Sequence, residues 1–196
     1  ASHPFAAEIG WMAERGITTG YEVPGGREFR PYGTVGRDAM AAFLYRFADS
    51  SDFFAPPGFT VPADFTAPSV SPFTDVPTSH PFYKQISWLA SNGVSTGWDV
   101  GGGKKEFRPS QPIARDAMAA FLYRFGGKPA FTAPGTSPFT DVPKSHPFYK
   151  EVSWLATTGV STGWDVGGGK KEFRPSLNIP RDAMAAFLYR YYVYLD

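Results

Sequence analysis

One unit is written three times along this chain, and that repetition constrains the fold more than any other feature. SHPFAAEIGWMAERGITTGYE…EFRPYGTVGRDAMAAFLYRF begins at Ser2. SHPFYKQISWLASNGVSTGWD…EFRPSQPIARDAMAAFLYRF begins at Ser79, and SHPFYKEVSWLATTGVSTGWD…EFRPSLNIPRDAMAAFLYRY at Ser145. The anchors His3, His80 and His146 stand 77 and then 66 residues apart, and most of the difference lies in a longer first connection. The motif FTDVP precedes the second and third copies (73–77, 139–143) and is missing before the first, as if cut off. The chain opens at Ala1 inside a repeat and so reads as a piece of a longer protein. Self-similarity at such a period marks units that bury their apolar faces against one another.

Within each copy two helices are legible. The first is predicted from about Pro81 to Ser91, with Ser79 or His80 as its cap and Gly93 as its left-handed stop. Phe82, Ile86 and Leu89 fall on one stripe at helical spacing, whereas Trp88 points well away from it. The first helix is therefore expected to be covered on two sides, as by a neighbouring copy. The second helix is predicted from Arg115 to just before Gly126, with Met118, Phe121, Leu122 and Phe125 apolar and alanines permitting close approach. Between the helices lies a turn-rich stretch with one or two short extended pieces. The expected fold is mainly α: three helix-loop-helix repeats in a closed pseudo-threefold bundle. Closure is favoured over an open solenoid because YRYYVYLD at the C-terminus is too aromatic for a polar cap. The expected organisation is repeat one over 1–47, a Pro/aromatic-rich linker over 48–72, repeat two over 73–125, a linker over 126–138 and repeat three over 139–196, all in one unit. The first linker is read as an extended tether lying on the surface.

Composition narrows the function classes. An apolar fraction of 42% and an aromatic fraction of 17% over 196 residues suit a folded globular protein. A net charge of +1 offers no clustered basic face for nucleic acid. No apolar run approaches the roughly 20 residues that span a bilayer, so no membrane insertion is expected. With no cysteine, disulfides and thiolate metal sites are excluded. There is no G-x-S-x-G, HExxH or phosphate-cradling loop, and near-identical copies give paired carboxylates no acid–base asymmetry. Neither catalytic residues, nor a metal site, nor a cofactor is expected; the histidines read as packing at helix starts.

The order of these motifs resembles the S-layer homology family. It runs F-x-D-V, then H, then a helix ending in x-G-[IV], then T-G, F-x-P and I-x-R opening a second helix; FTDVPTSHPFYKQISWLASNGVSTGWDVGGGKKEFRPSQPIAR follows it throughout. The family's I-T-R-A-E reads VGRDA, IARDA and IPRDA here, at 35–39, 113–117 and 179–183. The resemblance implies a three-pronged pseudo-trimer around a central helix bundle. It also implies a non-catalytic role on the bacterial cell surface, anchoring proteins to anionic, often pyruvylated, cell-wall polysaccharide in grooves between repeats.

The residues bear on that role directly. Arg37, Arg115 and Arg181 each stand in the first turn of a predicted helix, where the macrodipole disfavours a cation. An anion held by arginine and free backbone N–H groups would explain them; so would a pair with Asp38, Asp116 or Asp182, or with an acid across the repeat junction. Tyr21, Trp98 and Trp164 follow a T-G pair whose glycine is Gly97 or Gly163 in the later copies. They either stack on a sugar or plug the space between helices. These arginines, aspartates, aromatics and glycines are the candidate carbohydrate contacts. Lys104, Lys105, Lys170 and Lys171 read as solvated turn residues, and Arg46, Arg124 and Arg190 as cations suited to helix C-termini. The alternative function is a structural or protein-interaction module, with self-association through the first repeat.

Overall fold

A computed structural model of the chain describes residues 3–50 and 60–195. Residues 51–59, the start of the long tether, lie outside the described part. Each repeat is a helix, an antiparallel hairpin and a second helix. Repeat one holds α1 (Ala6–Glu14), β1 (Tyr21–Val23), β2 (Gly26–Glu28) and α2 (Arg37–Asp49). Repeat two holds α3 (Tyr83–Ser91), β3 (Trp98–Asp99), β4 (Lys105–Glu106) and α4 (Arg115–Phe125), and repeat three α5 (Tyr149–Thr157), β5 (Trp164–Asp165), β6 (Lys171–Glu172) and α6 (Arg181–Leu195). The second helices start where the sequence puts them. The first helices start two residues later than expected and lack a side-chain cap of Ser79 type. Instead His80 Nδ1 accepts the Phe82 N–H at 3.1 Å, with His3 and His146 doing the same for Phe5 and Phe148.

The second helices carry the core. Met40, Leu44 and Phe47 of α2, with Met118, Leu122 and Phe125 of α4 and Met184, Leu188 and Tyr191 of α6, have no exposed surface. Phe47, Phe125 and Tyr191 occupy equivalent positions and meet as a triangle with ring centroids 5.9, 6.0 and 6.2 Å apart. Each first helix packs on the second helix of another repeat: α3 on α2, α5 on α4, and α1 on α6. The off-stripe tryptophans are the reason. Trp88 stands edge-on to Tyr45 and Trp154 to Tyr123, both from the preceding repeat. Trp11 meets Tyr189 and Tyr192 of the aromatic C-terminal segment, which thus covers the first repeat.

A cycle of backbone bonds runs through all three copies just ahead of the second helices. Val35 N–H donates to the Ile179 carbonyl, Ile179 N–H to Ile113, and Ile113 N–H to Val35, each at 2.9 Å. All three residues are buried. In addition, the first two N–H groups of each second helix, which an isolated helix leaves unpaired, find acceptors in another copy. Arg37 and Asp38 donate to Gln111 and Pro109 of repeat two, Arg115 and Asp116 to Leu177 and Pro175 of repeat three, and Arg181 and Asp182 to Gly33 and Pro31 of repeat one.

FTDVP ties the hairpins of repeats two and three to the chain ahead of them. Asp75 accepts the N–H groups of Phe107 and Arg108 at 2.8 and 2.6 Å, and Asp141 those of Phe173 and Arg174 at 2.8 and 2.7 Å. These carboxylates neither cap a turn of their own nor pair with a neighbouring arginine. Arg108 and Arg174 stand in a left-handed conformation (φ 59° and 58°) that non-glycine residues seldom adopt, and Arg30 shares it (φ 58°) without such a carboxylate. Phe73 packs against Phe107 and so close to Gly97 that a Cβ there would lie 2.6 Å from its ring. Gly97, at φ 65°, is therefore required by the fold itself, and Gly163 repeats the arrangement against Phe139. The described part of the tether packs on the core through Val61, Phe65 and Ala67, and Tyr83 donates to the Pro68 carbonyl at 2.8 Å.

Tyr191 replaces the phenylalanine of the other two copies, and its buried hydroxyl has no hydrogen-bond partner among the described residues. Nothing in the structure explains the replacement. An unpaired buried hydroxyl costs roughly 1–3 kcal/mol, so Tyr191→Phe is expected to raise stability by about 1 kcal/mol in chemical denaturation. Phe125→Ala empties the centre of the triangle and is expected to cost about 3–5 kcal/mol. Because the triangle belongs to all three repeats, the loss should come as one lowered transition rather than a separate early one.

Candidate functional site

The helix-start arginines do not stay within their own repeat. Arg37, buried to 5% exposure, reaches into repeat two, where its guanidinium carbon lies 4.1 Å from the ring centre of Trp98, 4.9 Å from Phe107 and 5.1 Å from Phe121. Its Nε donates to the Phe107 carbonyl at 2.7 Å. Arg115 does the same in repeat three, among Trp164, Phe173 and Phe187, with its Nε on the Phe173 carbonyl at 2.7 Å. Arg181 closes the cycle in repeat one, among Tyr21, Phe29 and Phe43, with its Nε on Phe29 O at 2.7 Å and Nη2 on Thr18 Oγ1 at 3.2 Å. Aromatic faces attract a guanidinium and leave its terminal nitrogens uncommitted. Among the described residues, no carboxylate lies within ion-pair distance of the three, and the terminal nitrogens of Arg37 and Arg115 donate to no protein atom.

Burial without an acid partner disfavours the charged form. It pushes Arg37 and Arg115 down to about 10; Arg108 adds to the effect at Arg37 while Asp75 opposes it there, and Asp141 opposes it at Arg115. Burial also lowers Arg181. All three remain cations at neutral pH; each is a desolvated positive charge with no acid in contact, although Asp75 attracts Arg37 and Asp141 attracts Arg115 from farther off.

A cavity adjoins each arginine at a repeat junction. The first, about 320 Å³, is lined by Arg37 of repeat one, Gly97, Trp98, Asp116 and Arg124 of repeat two, and Phe148 of repeat three. The second, about 490 Å³, sets Arg115 against Gly163, Trp164, Asp182 and Arg190, with Phe5 at its wall. The third, about 360 Å³, sets Arg181 against Tyr21, Asp38 and Arg46, with Phe82. Side chains from neighbouring repeats thus build every cavity.

Several expectations need correcting. The aspartate beside each arginine does not pair with it, nor does an acid across the junction. Asp38, Asp116 and Asp182 bind the N–H of the next residue at 2.6 Å and face the Nε2 of His80, His146 and His3 at 3.9, 3.6 and 3.3 Å. Each lines the cavity of a different arginine: Asp116 that of Arg37, for example. Burial raises the Asp116 carboxyl, while the Ala117 N–H and His146 oppose the rise. The helix-start N–H groups are not free for an anion either, since another repeat accepts them. The aromatics hold arginines first of all: Trp98 has Arg108 at 4.6 Å as well as Arg37, Trp164 has Arg174 at 4.7 Å, and Tyr21 has Arg30 at 4.3 Å. Lys104, Lys105, Lys170 and Lys171 are exposed and line none of these cavities. Arg46 and Arg124 stand in the last turns of α2 and α4, as read from the sequence, and line cavities as well; Arg190 lines one too but lies inside α6, which runs on to Leu195.

A comparison with curated proteins returned no match. The family model described as S-layer homology domain matches residues 72–119 and 138–185, that is, FTDVP through the middle of the second helix in repeats two and three. Repeat one, without FTDVP, is not matched, yet it has the same helix–hairpin–helix build. The chain accordingly carries two S-layer homology domains in tandem, over residues 72–119 and 138–185, with a third repeat-like unit ahead of them.

Proposed function

We propose that the chain is a non-catalytic module that anchors a bacterial surface protein to the cell wall. It does so by gripping acidic substituents of a wall polysaccharide, pyruvylated ones included, in its three junction cavities. Domains of this family generally anchor proteins to cell walls, which supports the coarse role. The observation that carries the finer one is the set of buried guanidinium groups with no acid partner, each beside an open cavity. An anion entering there supplies a counter-charge in direct contact, and charge-assisted hydrogen bonds to uncommitted Nη groups are the strong kind. Arg37 with Arg124, Arg115 with Arg190 and Arg181 with Arg46 present two cations per cavity against one aspartate (Asp116, Asp182 and Asp38). The trio of cavities follows from the proposed closed, pseudo-threefold arrangement, in which every repeat both lends an arginine and receives one. Among the described residues no helix is long and apolar enough to cross a membrane.

A lattice-building or self-associating role is the second reading, favoured by the exposed Tyr32, Val70 and Val193 (77%, 78% and 55%). Concentration-dependent assembly in sedimentation, with no retention on wall sacculi, would select it.

Under the leading reading the chain sediments with purified sacculi and stays in solution once the wall polysaccharide has been released from them. Arg115→Gln removes a charge-assisted contact of about 1.5–3 kcal/mol, so sacculus binding is expected to weaken about tenfold or more. Its melting temperature should fall far less than that of Phe125→Ala; unchanged binding would refute the assignment of Arg115. The pH dependence has a definite sign. The charged form binds and is lost as pH rises through the folded-state value, about 10 for Arg37 and Arg115. Binding should therefore be flat between about pH 6 and 8, a range in which arginine does not titrate, and fall as pH rises through 10. A midpoint near neutrality would place the attraction on other groups.

A further inference from the structure

The arginine cavities share one machinery but not one rim. In each, the N–H of the incoming arginine donates to the carbonyl of an equivalent residue in the receiving repeat. That residue is Gln111 for Arg37 at 3.0 Å, Leu177 for Arg115 at 3.0 Å and Gly33 for Arg181 at 2.9 Å. A constant backbone bond thus fixes three different residues beside three matching arginines. Gln111 and Pro112 line the cavity of Arg37, and the equivalent Leu177 and Asn178 that of Arg115. The glycine, tryptophan, aspartate and second arginine of these two cavities are otherwise the same residue types.

Leu177 is out of keeping with that shared set. It is 51% exposed and lies outside the hydrophobic core, and Trp164 in the same lining is 37% exposed. A lone exposed leucine is ordinary on a protein surface. This one is fixed beside a buried cation, at a position that is an amide in one sister repeat and a glycine in the other. The Arg115 cavity is also the largest of the three, about 490 Å³ against 320 and 360 Å³. It therefore suits a ligand that is acidic on one side and apolar on another. Besides the C–H face of the ring, the compact apolar part of a sugar is the methyl of an acyl substituent. The side-chain amide of Asn178, a donor and an acceptor, matches the polar atoms of such a substituent; Pro112 in the other cavity has no counterpart to it.

We propose that Leu177 is a specificity-determining residue, which makes the Arg115 cavity select acidic sugars that carry an acyl methyl group. The Arg37 cavity, with Gln111 in the equivalent place, does not discriminate by that methyl. This selectivity rests on the reading of the cavities as anion sites and adds the feature that tells two of them apart. Arg115 and Arg190 take the carboxylate, Asn178 the polar atoms of the acyl group, and Leu177 covers its methyl. Removing one methyl group from water in this way is worth about fourfold in affinity.

The test is an NMR titration of the 196-residue chain with two synthetic monosaccharides, the methyl glycosides of N-acetylmannosaminuronic acid and N-formylmannosaminuronic acid. The two differ by a single methyl group. The indole N–H signals of Trp164 and Trp98 report the two cavities separately. At Trp164 the acetyl sugar is expected to bind about fourfold more tightly than the formyl sugar, and at Trp98 the two equally. Leu177→Gln should bring the ratio at Trp164 to about one, and Gln111→Leu should create a preference at Trp98. Both side chains are exposed and serve the fold through their backbone groups, so a melting curve should show both variants folded. The same ratio at both tryptophans, no preference at Trp164, or a preference that survives Leu177→Gln would overturn the role of Leu177 and leave the anion sites standing. No saturable shift at either tryptophan with millimolar sugar would overturn the anion sites, and the selectivity with them.

Discussion

No repeat in this protein completes the start of its own second helix, and the rest of the structure depends on that deficit. The N–H groups that begin α2, α4 and α6 require acceptors, and another repeat's loop supplies them. The arginine at each start follows the same route, laying its guanidinium among the neighbour's aromatic rings with Nε on the neighbour's carbonyl. A helix start that faced water could tolerate a cation only at a cost from the dipole. Here the cation leaves its own helix end for a place built by another repeat. The central aromatic triangle and the cycle through Val35, Ile179 and Ile113 then unite copies that no single repeat could stabilise by itself.

The same arrangement positions the chemistry. A buried ion is ordinarily matched by an opposite charge, because desolvation alone is expensive. Here the acids nearest in sequence are engaged elsewhere: Asp38, Asp116 and Asp182 secure their own helix turns and face histidines of another repeat. Asp75 and Asp141 bind backbone. Carbonyls and ring faces partly offset the desolvation of the arginines, and the unpaired remainder is available to an anion from outside. Each seam therefore joins two repeats and also forms a candidate site, and loss of a ligand group can be separated from loss of the fold.

Much of this was legible in the sequence, for identifiable reasons. The bounds of α4 follow from an arginine at one end and a glycine pair at the other, and Trp88 lies so far off the apolar stripe that a second packing partner was implied. Other features were not legible because their partners are distant or have a sufficient local explanation. Asp75 looks like a turn residue until the chain returns 32 residues later to offer Phe107 and Arg108. Arg124 sits comfortably in a last helical turn, so nothing in its own repeat points to the arginine arriving from repeat one. The missing Arg–Asp pair was the least predictable, since adjacency in sequence says little about direction across a helix start.

The central claim is that the seam arginines, rather than the exposed lysines, carry the attraction for an anionic wall polymer. Its most direct test is the guanidinium NMR signal of 15N-arginine-labelled protein titrated with soluble wall-polysaccharide fragments. The account predicts that the side-chain signals of Arg37 and Arg115 move saturably, with the lysine signals nearly still. Saturable binding that leaves those arginine signals in place would contradict it.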